Sequence, residues 1–234
     1  MQIKFFFANR NMNIAAYIDH TLLKSVTTVE EVKKLCDEAM TYGFFAVCIP
    51  PPLVKNAKVA TKDSPVKVAT VTGFPFGYSI ARAKVFEVQQ SLEDGADEVD
   101  LMINLIALKS KAWKYLESEI KFVVEAVHKH RRILKVIIES GVLTDEEIVH
   151  CCKIYADAGV DFLKTSTGYA EKGATVHAVQ LMRTHLPGTV QIKASGGIRT
   201  YDFARQLIEA GASRLGCSAS VAIVQGENGN ETAY

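Results

Sequence analysis

The chain lacks a charge excess, paired cysteines, metal-ligand spacing and any long apolar run. Its formal net charge is +1 over 234 residues, which gives no electrostatic reason to expect nucleic acid or a membrane surface as a partner. The five cysteines, Cys36, Cys48, Cys151, Cys152 and Cys217, are odd in number, form no CxxC and include two neighbours. Such usage argues against a disulfide framework or a zinc site and fits reduced thiols in a cytoplasmic protein. The six histidines show no HExxH spacing, so no metal is expected. No segment reads as a membrane span. Phe5-Phe6-Phe7 is too short for a secretory core, and residues 1–11 read as an N-terminal extension. The polar stretch 226–234 reads as a flexible tail.

What is present is a regular rhythm. Apolar residues make up 48% of the chain, enough for a sizeable core, with no composition shift or linker to divide a single domain spanning 1–234. Strand-like runs occur at 17–20, 45–49, 66–72, 98–103, 134–139, 162–165, 190–194 and 214–217. Between them lie amphipathic segments. Thr28 with Glu31, and Thr144 with Glu147, have capping-box spacing. Val32, Leu35, Cys36, Ala39 and Met40 then follow the spacing of one helix face, as do Ile148, Cys151, Cys152 and Tyr155. Gly43, Gly95, Gly159 and Gly211 each stand between a helical run and a strand, where a left-handed residue ends a helix. The basic run His128-Lys129-His130-Arg131-Arg132 reads as a helix C-terminus. Eight such units predict an α/β fold, a parallel (β/α)₈ TIM barrel. The alternative is an open doubly wound sheet, but its GxGxxG turn after the first strand is missing.

In a parallel barrel the active face lies at the C-terminal strand ends. Those ends are polar here: Asp19-His20-Thr21, Cys48, Thr72, Asp100, Glu139, Lys164, Lys193 and Ser218. Asp19 and Thr21 are therefore expected at the substrate. Alternation along the fourth strand turns Glu98, Asp100 and Met102 inward, and along the seventh it turns Gln191, Lys193 and Ser195 inward. Lys164 shares a face with Phe162 and Ser166, so Asp100 and Lys164 can share an interior layer, with Lys193 on the adjacent strand. Each lysine alone also admits a structural reading, as a salt-bridge partner of Asp100 or Glu139 or as a snorkelling stem. Lys67 and Lys135, near strand starts, are left with that reading. Two buried ammonium groups about 5 Å apart repel by roughly 3 kcal/mol at an effective dielectric of about 20, which favours the neutral, nucleophilic amine on one of them. Schiff-base chemistry is the expectation.

Gly196-Gly197-Ile198-Arg199-Thr200 and Gly216-Cys217-Ser218-Ala219-Ser220 follow the last two strands, where exposed N–H groups bind phosphate in many barrels. Either loop alone can be a tight turn. Together they favour a phosphorylated substrate.

These residues resemble the deoxyribose-phosphate aldolase family. The likeness runs from Ile18-Asp19-His20-Thr21 through Thr72-Gly73-Phe74-Pro75, Glu98-Val99-Asp100 and Lys135-Val136-Ile137-Ile138-Glu139 to Lys164-Thr165-Ser166-Thr167-Gly168, Lys193-Ala194-Ser195-Gly196-Gly197 and Gly216-Cys217-Ser218-Ala219. The resemblance implies a cofactor-free class I aldolase that reversibly cleaves 2-deoxy-D-ribose 5-phosphate to D-glyceraldehyde 3-phosphate and acetaldehyde, in deoxyribonucleotide catabolism. It implies that Lys164 forms the Schiff base, that Lys193 lowers its pKa, and that Asp100 is the acid/base partner. It places Gly196, Gly197, Ser218 and the rim residue Gly168 at the phosphate, and it implies a homodimer. Ile106 departs from the family's usual glycine, and the segment from Tyr169 to Lys172 also departs, so no phosphate contact is assigned there. Cys48 is read as a packed thiol, and Tyr234 as an idle terminus.

Three other readings remain at this stage. A transaldolase-like Schiff-base enzyme would take dihydroxyacetone-type donors. A sugar-phosphate binding barrel would have no need of the lysine pair. A metal-dependent aldolase would be abolished by a chelator.

Overall fold

Local chemistry sets the helix boundaries. In a computed structural model, which describes residues 12–226, Thr28 and Glu31 close a reciprocal cap on α1 (Val29–Tyr42), and Thr144 and Glu147 do the same for α6 (Asp145–Asp157). Thr175 and Thr200 cap α7 (Val176–His185) and α8 (Tyr201–Glu209) by accepting a backbone N–H three residues on. The remaining helices are α2 (Val54–Ala60), α3 (Ala81–Glu93), α4 (Leu105–Lys109), α5 (Trp113–Lys129) and α9 (Ser220–Gln225). Gly43, Gly95, Gly159 and Gly211 all take the left-handed conformation at helix ends. The basic run starting at His128 sits at the C-terminus of α5.

The strands are β1 (Ile18–Thr21), β2 (Ala46–Ile49), β3 (Lys67–Thr72), β4 (Glu98–Met102), β5 (Ile133–Ile137), β6 (Phe162–Lys164), β7 (Gln191–Ser195) and β8 (Arg214–Cys217). They pair in sequence order, all parallel, and β8 closes on β1, giving the (β/α)₈ barrel. Outward residues such as Val99, Leu101, Ile192 and Ala194 join the helices in one continuous apolar core. Tyr17, expected in the first strand, belongs instead to a 3-10 turn, Ile14–Tyr17. The fifth strand stops two residues early. Ile138 still donates its N–H to the Lys164 carbonyl at 3.0 Å, but Glu139 turns into the left-handed region with φ 55°. Ile106 is exposed on α4. Among the described residues no helix is long and apolar enough to cross a membrane. The expected N-terminal extension, the tail beyond Gly226 and Tyr234 lie outside the described residues.

A buried ion pair ties α3 and α5 to the end of β4. Lys84, fully buried, donates from Nζ to the Met102 carbonyl at 2.8 Å and lies 3.0 Å from Glu119 Oε1. Burial lowers the Lys84 pKa and raises that of Glu119, so each charge is held against solvent loss chiefly by the other. Removing one partner strands the other. Glu119→Ala is expected to cost about 3–5 kcal/mol in a denaturant titration. The double variant Lys84→Met, Glu119→Leu should recover most of that loss. A single variant as stable as the parent would refute the pair's structural role.

Candidate active site

Strand alternation turns seven charged side chains into the barrel. Asp19 comes from β1, Glu98 and Asp100 from β4, Lys135 from β5, Lys164 from β6, Lys193 from β7 and Arg214 from β8; all are buried. Register places them as neighbours, since Asp100 pairs with Lys135 across β4 and β5, and Lys164 pairs with Lys193 across β6 and β7. Asp100 is the hub. Its Oδ1 accepts from Lys135 Nζ at 2.8 Å, and its Oδ2 accepts from Lys164 Nζ at 2.8 Å and Lys193 Nζ at 2.7 Å. Lys193 also pairs with Asp19. Lys135 lies 2.6 Å from Glu98 Oε2. Arg214 donates from Nε to Asp19 Oδ1 at 2.9 Å and from Nη2 to Glu98 Oε2 at 2.9 Å, and its guanidinium carbon sits 3.7 Å above the Phe45 ring centroid.

The charges do not balance. Four cations (Lys135, Lys164, Lys193, Arg214) meet three carboxylates (Asp19, Glu98, Asp100). Lys193 and Arg214 each pair with two carboxylates and Lys135 with three, whereas among the described residues Lys164 pairs only with Asp100, already shared with two other lysines, and interacts with Glu139 from beyond ion-pair contact. Lys164 is therefore the cation held least well. Burial opposes charge on Lys193, but Asp100 and Asp19 outweigh it and hold that pKa well above the usual lysine value. Lys135 is raised against burial by Asp100 and Glu98. For Lys164, burial comes first and the Lys193 ammonium adds to it, so its pKa falls despite Asp100. Asp100 itself, though buried, is held well below the carboxylate range by Lys135, Lys164 and Lys193.

Beside this network lies a cavity of about 330 Å³, lined by Gly168, Gly196, Gly197, Arg199, Gly216 and Ser218 among others. Two glycines let it form. A Cβ on Gly216 would come within 3.2 Å of Lys193 Cε and 2.9 Å of Ser195 Cβ, so the glycine joins the cavity floor to the lysine network. Gly196 takes φ 86° with the Gly173 backbone close against it, a conformation and an approach that a Cβ would obstruct. A separate apolar cluster of Leu23, Cys48, Ala69 and Val71, with Phe74 against it, occupies the β1–β3 side. Burial raises the Cys48 thiol pKa, as expected for a packed cysteine.

The structure brings Lys164, Lys193 and Asp100 into direct contact, and it places Gly168, Gly196, Gly197 and Ser218 around one cavity. Asp19 lies within the ion network, and Thr21 donates its hydroxyl to the Asp19 carbonyl at 2.8 Å; neither lines the cavity. Lys67 is exposed, but Lys135 is at the centre of the network. Sequence reasoning gave Glu98 and Arg214 no ion partners; Lys135 was left a structural reading, and its 2.8 Å ion pair with Asp100 agrees with it. Lys135 carried the same signal as the other two lysines, a cation inside an apolar strand run, and Glu98 shares the parity of Asp100.

A profile of the DeoC/LacD family aldolases matches residues 13–226. The chain belongs to this family. It is 51% identical over 212 residues to the deoxyribose-phosphate aldolase of Caldicellulosiruptor saccharolyticus, which covers 90% of this chain and 96% of that protein. It is 50% identical over 222 residues to the deoxyribose-phosphate aldolase of Thermococcus gammatolerans, covering 94% and 99% of the two chains. The solved tetrameric deoxyribose phosphate aldolase of Aeropyrum pernix superimposes with a TM-score of 0.85 at 31% identity, over 91% of this chain and 89% of that one.

The charge count in this aldolase barrel has a direct test. Lys193→Met leaves three carboxylates facing three cations, Lys164 among them, so Lys164 then keeps its proton. Borohydride trapping of acetaldehyde on Lys164, followed against pH, should shift its midpoint to higher pH. The trapping rate at pH 7 should fall by at least about tenfold, one pKa unit's worth of neutral amine. An unmoved midpoint would remove Lys193 as the source of the field.

Proposed function

We propose that the chain is a class I aldolase that reversibly cleaves 2-deoxy-D-ribose 5-phosphate to D-glyceraldehyde 3-phosphate and acetaldehyde, with Lys164 as its Schiff-base residue. The observation that carries this reading is the contact of Lys164 and Lys193 with the same Asp100 oxygen beside a glycine-lined cavity. The neutral Lys164 amine attacks C1 of the open-chain sugar, and the carbinolamine loses water to give an iminium. A base takes the proton of the C3 hydroxyl. The C2–C3 bond then breaks, its electrons move into the iminium, and C3 becomes the aldehyde carbon of glyceraldehyde 3-phosphate. The two-carbon enamine left on Lys164 takes a proton at C2, and water releases acetaldehyde and the free amine. The proton taken from C3 oxygen equals the one delivered to C2, and the water lost equals the water regained.

In this reading Asp100 and Lys193 handle those protons. They sit at 2.8 and 2.7 Å contacts around Lys164 and its shared carboxylate oxygen, within reach of a bridging water. The backbone around Gly168, Gly196, Gly197 and Ser218 would hold the phosphate, which positions C1 for attack. Asp19 acts in this reading by steering Lys193, and Thr21 by holding the β1 exit. The cluster of Leu23, Cys48, Ala69 and Val71 offers an apolar flank to the two-carbon fragment. No cofactor is needed, because the iminium is the electron sink. The role that follows from the substrate is deoxyribonucleotide catabolism in the cytoplasm.

The reading extends to a homodimer. Phe86 on α3 and Phe122 on α5 are 69% and 55% exposed, beside Arg82, Glu125 and Lys129. A face carrying exposed aromatics and charges of both signs suits a second copy of itself. The Aeropyrum pernix relative is a tetramer. Light scattering should give at least a dimer for the parent and a smaller species for Phe86→Glu. A monomeric parent would end this part of the reading.

Borohydride reduction in the presence of 2-deoxyribose 5-phosphate or acetaldehyde, followed by peptide mass mapping, tests the chemistry itself. An added ethyl group on Lys164 is expected with both compounds. Attachment at Lys193 would reverse the lysine roles, and no adduct on a folded protein would reject the Schiff-base mechanism.

A further inference from the structure

We propose that Glu139 is a positioning residue for the phosphate end of the substrate, acting through Thr167. Glu139 follows β5 and is buried, with φ 55° and ψ 56°. A glutamate in this left-handed region is strained, and such strain persists only where the surrounding structure holds it. Here the strain turns the side chain across to the exit of β6. The carboxylate accepts the Thr167 hydroxyl, and also the Thr167 N–H at 3.2 and 3.3 Å from its two oxygens. Thr167 Oγ1 in turn accepts the Tyr169 N–H at 3.0 Å. One buried carboxylate thus sets the turn Thr167-Gly168-Tyr169, and Gly168 and Tyr169 are cavity-lining residues.

The next two residues grip the same loop. Ser140 donates its N–H to the Thr165 carbonyl at 2.7 Å, and a Cβ on Gly141 would come within 2.2 Å of the Lys172 carbonyl oxygen. Tyr169 continues the chain of contacts. Its hydroxyl donates to the Leu23 carbonyl at 2.7 Å, and its ring meets Phe74 edge-on at 5.5 Å. The wall of the cavity formed by the β6 loop is therefore fixed from the β5 exit on one side and the β1 and β3 loops on the other. Thr165 N–H donates to the Lys193 carbonyl, so the same segment is continuous with the lysine strands.

This inference rests on the aldolase reading, and the test separates the two. Glu139→Gly is the informative variant, because glycine accepts the left-handed backbone without strain while the carboxylate is deleted. It is expected to stay folded, because relief of the backbone strain offsets part of the cost of the lost Thr167 hydrogen bonds. Its kcat/KM for 2-deoxyribose 5-phosphate, divided by that for unphosphorylated 2-deoxyribose, should fall by about tenfold, with most of the change in KM for the phosphorylated sugar. Glu139→Gln keeps an oxygen for the Thr167 N–H and should restore that ratio to within about threefold of the parent. A ratio unchanged in Glu139→Gly would overturn the proposal. So would a fall in the ratio that Glu139→Gln does not restore. Trapping of acetaldehyde on Lys164 in the parent protein, which needs no phosphate site, reports on the aldolase reading alone.

Discussion

Four cations share one ion-pair network in the barrel interior with three carboxylates, and the lowered pKa of Lys164 follows from that inequality and from burial. Each buried charge is costly unless paired, so the protein's three carboxylates stabilise three of the cations and leave the fourth poorly held. Contact geometry decides which one. Lys193 and Arg214 bridge two carboxylates apiece and Lys135 three, whereas among the described residues Lys164 pairs only with an oxygen of Asp100 that Lys193 also uses. The same Asp100 that orients Lys164 is shared with Lys135 and Lys193, so burial outweighs it and the Lys164 pKa falls.

Barrel closure makes this arrangement achievable. The seven charged residues come from six different strands, β1 and β4 to β8, and no two neighbours in the network need be close in sequence. The outward-facing half of each strand supplies the apolar core that holds the strands in place. The inward-facing half is then free to carry a polar network that an open sheet would expose to water. Toward the strand exits the interior divides again. The β1–β3 side is apolar around Cys48 and Val71, and the side of β6, β7 and β8 is glycine-rich.

Much of this was readable in the amino-acid sequence. Capping boxes at Thr28 and Thr144, and glycine stops such as Gly43, are local devices whose geometry depends on a few neighbouring residues, and they formed as spacing required. Strand parity worked for Asp100 and Lys193 because a period of two is set by the backbone itself. It was less informative at strand ends. The early stop of β5 and the left-handed Glu139 go with contacts to Thr165 and Thr167 in the segment after β6, and nothing adjacent in sequence signals them. Lys135 illustrates the same limit. Its position near a strand start left an ion pair and a snorkelling stem as equal structural readings, and barrel register selects the first by setting it directly opposite Asp100.

The sequence by itself determined the alternation of strands and helices, the inward parity of the lysines and the glycine-rich turns after the last strands. These depend on backbone periodicity and on short-range capping. Only the tertiary structure decided which carboxylates each cation meets, and hence that Lys164 is the one left without adequate compensation. Asp19 and Arg214 are 195 residues apart in the chain and in contact in the fold. A lysine's protonation is set by the sum of charges within a few ångströms, and that sum exists only after the barrel has closed.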